Sequence, residues 1–146
     1  MRYGCSLLHV WKLAWIYATI SCVSKKRVLV VDDEPGVLKF VRISLSAAGY
    51  EVLTAGGGEE ALQLVQSQNP DIMLLDIVME PVSGFDVLFR LRRLSNRMPV
   101  IVFTAQSVIA ESALSAGAKG YISKPFMPDE LVRKIGETLD AHKSTT

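Results

Sequence analysis

Cysteine is almost absent from this sequence. Of its 146 residues only Cys5 and Cys22 are cysteines, and both lie before Ser24. From Ser24 onward the chain therefore cannot use thiol catalysis, cysteine metal ligands or a disulfide framework. Histidine is equally scarce, because only His142 follows His9, and this argues against histidine-based catalysis in the main part of the chain.

An excess of charge of one sign is also lacking. The 16 basic and 15 acidic residues leave a formal charge of +1. This balance gives no sign of a basic face that would bind nucleic acid directly, or of an acidic tail that would bind a basic partner. The hydrophobic fraction of 49% is enough to build the core of one ordinary domain.

Residues 1–23 differ from the rest of the chain in composition. Their longest run without charge, Leu13 to Val23, is shorter than the ~20 residues of a membrane helix. Four interpretations compete: a secretory signal, a membrane anchor, a helix packed on the domain, or a start that is not native. We favour the last, and expect the native chain to begin near Ser24. Membrane attachment is expected only if this leader is a native anchor, with basic residues 25–27 then keeping the domain cytoplasmic.

Between residues 24 and 141 short apolar runs alternate with helical patterns. Strands are predicted at 27–31, 50–55, 72–76, 99–104 and 121–123, each followed by a helix. The runs are continuously apolar, which is typical of parallel strands covered on both faces. The predicted fold class is therefore α/β, a doubly wound five-stranded parallel sheet, and residues 142–146 are predicted to form a polar tail.

Charged and polar residues follow the predicted strands where each one ends. Asp32 and Asp33 follow the first strand, Asp76 ends the third, Thr104 ends the fourth, and Lys124 follows the fifth. Each alone also suits a cap, a turn or a strand residue, so the joint arrangement carries the prediction. Clustered carboxylates favour a hard divalent ion such as Mg²⁺, and the lysine and hydroxyl suit an anionic ligand. A carboxylate that attacked phosphorus at this edge would give an acyl phosphate.

The chain from Lys25 to about Ala141 resembles the receiver domain of two-component response regulators. The residues that carry the resemblance are Val28 to Pro35, Pro70 to Asp76, Met79 with Ser83-Gly84, Thr104-Ala105, Gly117-Ala118 with Tyr121, and Lys124-Pro125-Phe126. The resemblance implies a flavodoxin-like sheet with strand order 2-1-3-4-5 and a function in phosphorelay signal transduction.

The resemblance also implies roles for individual residues. Asp76 would accept a phosphoryl group from a sensor histidine kinase or a histidine phosphotransfer protein. Asp32, Asp33, Asp76 and the carbonyl of Val78 would hold Mg²⁺, and Lys124 would bridge to the phosphoryl group.

Further implications concern the switch and the setting of the domain. Thr104 would act with Asp76 and Lys124 as a catalytic residue and, with Tyr121, as a switch residue, and the peptide before Pro125 would be cis. Such a receiver is a cytoplasmic phosphoprotein that signals through protein contacts and is not itself an enzyme, and it could form a homodimer. It would act alone on a downstream protein or be a fragment of a longer regulator.

Two departures from the family pattern motivate alternatives. Glu80 stands between Met79 and Pro81, and its carboxylate could slow phosphorylation or alter dephosphorylation. One alternative is therefore a receiver-like binding module that is not phosphorylated. A second is a Mg²⁺-dependent phosphatase with an aspartate nucleophile, although Val78 stands where such an enzyme usually has a second acid. The stretch between Thr104 and Lys124 is also short for the family, which puts the fourth helix in question.

Overall fold

The computed structural model describes residues 25–145, excluding the side chain of Thr145. The interpretations of residues 1–23 lie outside this range. The elements alternate strictly along the chain. They are β1 (Arg27–Val31), α1 (Pro35–Ala47), β2 (Glu51–Ala55), α2 (Gly58–Gln68), β3 (Ile72–Asp76), α3 (Gly84–Arg93), β4 (Val100–Thr104), α4 (Ser107–Ser115), β5 (Gly120–Ser123) and α5 (Pro128–Thr145).

The five strands form one parallel sheet in the order β2-β1-β3-β4-β5, which confirms the predicted fold class and strand order. Val31 of β1 pairs with Leu75 of β3, so Asp32 and Asp76 lie at the same height at the ends of these two adjacent strands. Parallel strands bring their carboxyl ends to one edge of the sheet. The topology therefore gathers the residues at the strand ends at one place.

Each face of the sheet is covered by a separate layer of helices. Val41 and Leu45 of α1 and Ile135 of α5 pack with Val30 and Leu74 on one face. The opposite face is covered by α2, α3 and α4. Its buried residues from the strands and these helices include Leu29, Met73, Leu75, Val102, Ala61, Val65, Val87, Leu91 and Ala113. Because alternate side chains of a strand point to opposite faces, the continuously apolar strands are explained by burial on both sides.

Within residues 25–145, four helices are followed by a residue with a positive φ: Gly49 after α1, Asn69 after α2, Ser95 after α3 and Gly117 after α4. Gly49 has φ +94° just beyond α1, a conformation that glycine adopts without strain, and Asn69 ends α2 with φ 47°. The residues predicted to form a polar tail, 142–146, continue α5 as far as Thr145. Leu94 continues the apolar spacing of α3, but it is the C-cap of that helix and is 54% exposed.

None of the helices within residues 25–145 is long and apolar enough to cross a membrane.

Candidate functional site

Three aspartates meet at the carboxyl edge of β1 and β3. Asp32 is completely buried, Asp76 is buried and Asp33 is exposed. One oxygen from each lies within 4.8 Å of the others. The amide of Glu34 donates to Asp32 Oδ1 at 2.8 Å, because α1 begins immediately after this acid. The edge is thus a compact carboxylate cluster with one side open to solvent.

Lys124 supplies the cation of this cluster. Its Nζ lies 3.0 Å from Asp32 Oδ2 and 3.6 Å from Asp76 Oδ2, and 4.6 Å from the centre of the Phe103 ring. Its own amide donates to the Thr104 carbonyl at 3.0 Å, which ties the end of β5 to the end of β4. The peptide bond that follows, before Pro125, is cis. The ammonium is therefore held between two acids and above an aromatic ring, where it compensates the buried charge of Asp32.

The surroundings of Asp76 make its ionised form less favourable than that of a free aspartate. Burial raises the pKa of the Asp76 carboxyl, and the neighbouring Asp32 and Asp33 raise it further. Lys124 and the Val78 amide, which donates to Asp76 Oδ1 at 3.3 Å, act in the opposite direction. The net shift is upward. A second positive charge at this edge would relieve the repulsion among the acids.

The donor set suits a hard divalent ion. Carboxylate oxygens from Asp32, Asp33 and Asp76 are the ligands that Mg²⁺ prefers, and Mg²⁺ commonly retains water on its remaining positions. The open side next to exposed Asp33 leaves room for that water. Val78, whose carbonyl is expected to complete the site, is 60% exposed on the turn after β3. The residues therefore fit Mg²⁺, with Asp32 fixed by the Glu34 amide and Lys124.

The two residues expected to switch stand in different surroundings. Thr104 is buried, and its Oγ1 accepts a hydrogen bond from the amide of Gln106 at 3.3 Å. Tyr121 is 43% exposed, so its side chain is turned out of the sheet and away from the core. The fold thus brings Thr104 to the same edge as Asp76 and Lys124 but leaves Tyr121 on the surface.

The turn between β3 and α3 is held close to Asp76. A Cβ on Gly84 would lie 2.5 Å from the Asp76 carbonyl oxygen and 2.7 Å from Ile77 Cα. The Gly84 amide donates to the Ile77 carbonyl at 2.9 Å, and Ser83 caps α3 through a capping box with Asp86. The glycine that follows Asp76 by eight residues is therefore needed for close backbone approach.

Two further contacts at this edge have no clear signal in the sequence. A Cβ on Gly58 would lie 2.6 Å from Val82 Cγ1, so the start of α2 packs closely against the turn between β3 and α3. Phe103 lies beneath the Lys124 ammonium. Both residues look like ordinary turn or core residues in the sequence, and only the packing of separate elements gives them a place in the site.

Glu80 lies on the surface of the same turn. Its side chain is exposed, and among residues 25–145 it has no hydrogen-bond or ion-pair partner. The peptide bond between Glu80 and Pro81 is cis, which the sequence did not lead us to expect. The extra acid is therefore accommodated at the solvent side of the turn, while neighbouring Met79 remains buried.

The fold and this edge define a doubly wound α/β domain with a carboxylate site between the adjacent strands β1 and β3. Residues 28–136 match the family model of the response regulator receiver domain. The chain belongs to this family, which assigns the domain to phosphorelay signal transduction. Nothing in the fold or the site favours the binding-module or phosphatase alternatives.

Relatives of two sizes share this domain. A probable transcriptional regulator, ycf27, of Cyanophora paradoxa is 39% identical over 85% of this chain and 52% of its own length. The probable transcriptional regulatory protein TcrX of Mycobacterium tuberculosis is 36% identical over 82% of this chain and 52% of its own. The chain thus spans about half the length of these curated relatives. A CheY-like receiver domain protein of Methanospirillum hungatei has a solved structure with TM-score 0.78 and 33% identity, covering 84% of this chain and 100% of that one.

Proposed function

We propose that Asp76 is the phosphoacceptor of this receiver. The observation that carries the proposal is a buried carboxylate at the end of β3 with a lysine 3.6 Å away and two further acids within 4.8 Å. An Asp76 oxygen would attack the phosphorus of a phosphohistidine as the phosphorus–nitrogen bond breaks. The products are an acyl phosphate on Asp76 and a free histidine on the donor.

The neighbours of Asp76 have distinct roles in this transfer. Lys124 is close enough to both Asp32 and Asp76 to reach an oxygen of the incoming phosphoryl group with a small movement. Asp32, Asp33, Asp76 and the Val78 carbonyl would hold Mg²⁺, which when bound neutralises charge on the transferring oxygens. The Thr104 hydroxyl, already at the edge, would donate to the new phosphate.

Phosphorylation adds a charge of about −1.5 to −2 to this buried edge. A movement of Thr104 toward that charge would shift the end of β4, which is paired to β5 through Thr104 and Ser123. We propose that Tyr121 turns inward behind Thr104, which changes the surface formed by α4 and β5. That surface would contact the output partner or a second copy of the chain.

The partners follow from the same chemistry. The donor is a sensor histidine kinase or a histidine phosphotransfer protein, and the domain acts in the cytoplasm on a downstream protein. It is not an enzyme with its own substrate turnover, apart from accepting and losing its own phosphoryl group. Two relatives of twice the length are named as probable transcriptional regulators, and any transcriptional role of this chain would need a region other than the receiver itself.

The test is phosphorylation of the purified chain with acetyl phosphate and Mg²⁺, read by intact mass. One phosphoryl adduct is expected for the wild type and none for Asp76→Asn. Asp71→Asn is the matched control, because Asp71 lies on the opposite edge, where its carboxylate accepts from the Arg27 amide. An adduct that survives in Asp76→Asn, or a wild type without any adduct, would overturn the assignment.

A further inference from the structure

A second cavity opens at the edge of the sheet opposite Asp76. It lies where β4 and β5 begin, between the end of α3, the turn after α4 and the second half of α5. Its volume is about 730 Å³. Pockets that bind small molecules typically measure about 300–1,000 Å³, so this cavity has room for a ligand of nucleotide size.

The cavity has an apolar floor and a basic rim. Leu88, Leu91 and Val100 are buried and line the floor. Four cationic side chains from three separate segments line the rim. They are Arg92, Arg97, Lys119 and Lys134. An apolar surface next to several cations is suited to a molecule with a flat apolar body and more than one negative charge.

The charge of the rim is not compensated from within the domain. Across residues 25–145, none of these four cations lies in an ion pair with an acidic side chain. Glu137 is the one acid among the lining residues, and it lies 4.0 Å from Arg133. Because the whole chain carries a formal charge of only +1, this is a local concentration of positive charge.

The position of the Lys134 side chain depends on the glycine at position 120. A Cβ on Gly120 would lie 2.8 Å from Lys134 Cε, so the lysine stem rests directly against the start of β5. The amide of neighbouring Lys119 donates to the Val100 carbonyl at 2.8 Å, which fixes the backbone of that residue at the sheet edge. Lys134 is thus placed against the start of β5, and the backbone of Lys119 is held beside the floor residue Val100.

We propose that this cavity binds a small phosphate-bearing organic anion, with a nucleotide as the class of ligand that fits it. The base would lie on the apolar floor, and the phosphate oxygens would contact the arginine and lysine side chains of the rim. This site is separate from the carboxyl edge, and its occupation does not require phosphorylation of Asp76.

The test uses ATP as the probe, in EDTA so that no metal recruits it to the acidic edge, at about 0.15 M salt to screen diffuse surface attraction. Binding is measured by calorimetry and mapped by backbone amide NMR. We expect a Kd below about 1 mM, with shifts centred on Val100 and Lys119. The variant Lys119→Gln/Lys134→Gln should bind about tenfold more weakly or worse, since two charge-assisted contacts are lost.

The matched control is Lys25→Gln/Lys39→Gln, which removes the same charge from exposed positions outside the cavity. It should bind ATP within about twofold of the wild type, as expected when only diffuse attraction changes. Adenosine and pyrophosphate should each bind more weakly than ATP. The proposal is overturned if ATP does not bind, or if both double variants weaken ATP binding equally. It is also overturned if the amide chemical-shift changes are centred on Asp76, or if pyrophosphate or adenosine alone binds as tightly as ATP.

Discussion

Gly84 is the residue at which a single methyl group should damage the site most directly. In Gly84→Ala the new Cβ would lie 2.5 Å from the Asp76 carbonyl oxygen, 2.7 Å from Ile77 Cα and 2.8 Å from Ile77 Cδ1. Two of these three atoms are backbone, so they cannot rotate away. Relief requires the turn to move off the end of β3, next to the proposed phosphoacceptor.

Overpacking of this kind typically costs about 1–3 kcal/mol. Alanine recovers at most about 1 kcal/mol of helix propensity, and less at the first position of α3. We therefore expect Gly84→Ala to lower the free energy of unfolding by about 2 kcal/mol. With an m value of about 2 kcal/mol/M the urea midpoint falls by about 1 M. Phosphorylation of Asp76 by acetyl phosphate should slow as well, because the turn that carries Val78 is displaced.

The assay is urea unfolding followed by circular dichroism, together with the initial rate of phosphorylation. Gly36→Ala is the control, because a Cβ there has nothing within 4 Å and Gly36 also lies in the first turn of a helix. It should be neutral or slightly stabilising. If Gly84→Ala is as stable as Gly36→Ala and is phosphorylated at the wild-type rate, then the close approach of Gly84 to the Asp76 and Ile77 backbone does not require a glycine at this position.

Three other predictions concern the charges at the edge. Burial and Asp32 raise the pKa of Asp76, so ionisation of this carboxyl opposes folding. In EDTA, the free energy of unfolding of the wild type relative to that of Asp76→Asn should therefore fall as the pH rises from the unfolded-state pKa of about 3.9 to the folded-state pKa. A rise in this difference would contradict the prediction. Lys124→Met should cost about 1–3 kcal/mol in EDTA, because completely buried Asp32 loses its cation, and unchanged urea unfolding would refute this ion pair. Glu80→Gln should change the free energy of unfolding by less than about 0.5 kcal/mol, since the side chain is exposed. It should nevertheless speed phosphorylation by acetyl phosphate at low salt, because a negative charge that repels the donor is removed. Equal rates for the variant and the wild type would show that Glu80 does not repel the donor.

Much of the fold could be predicted because its signals are local. The apolar runs of β1, β3 and β4 end in polar residues, and Gly49 and Pro35 mark the ends of α1. Local patterns are less informative at the ends of helices. The last turns of α5 are polar, yet they remain helical, and Leu94 matches the apolar spacing of α3 but lies beyond its end.

The residues that could form a site were recognisable in the amino-acid sequence. Each strand carries its own terminal residue, and parallel strands must bring such residues to one edge, so Asp32, Asp76, Thr104 and Lys124 were identifiable before any distance was known. The identity of the chain as a receiver follows from the same residues and is supported by the family match over residues 28–136.

How these residues are held, and which other groups lie near them, depends on the tertiary structure. The 3.0 Å pair between Lys124 and Asp32 joins residues that lie 92 positions apart. The upward pKa shift of Asp76 depends on burial, and the contact of Gly58 with Val82 depends on α2 meeting the turn after β3. The basic cavity at the opposite edge likewise joins the end of α3, the turn after α4 and α5. These features arise from packing between distant segments, for which periodicity along the chain carries no signal.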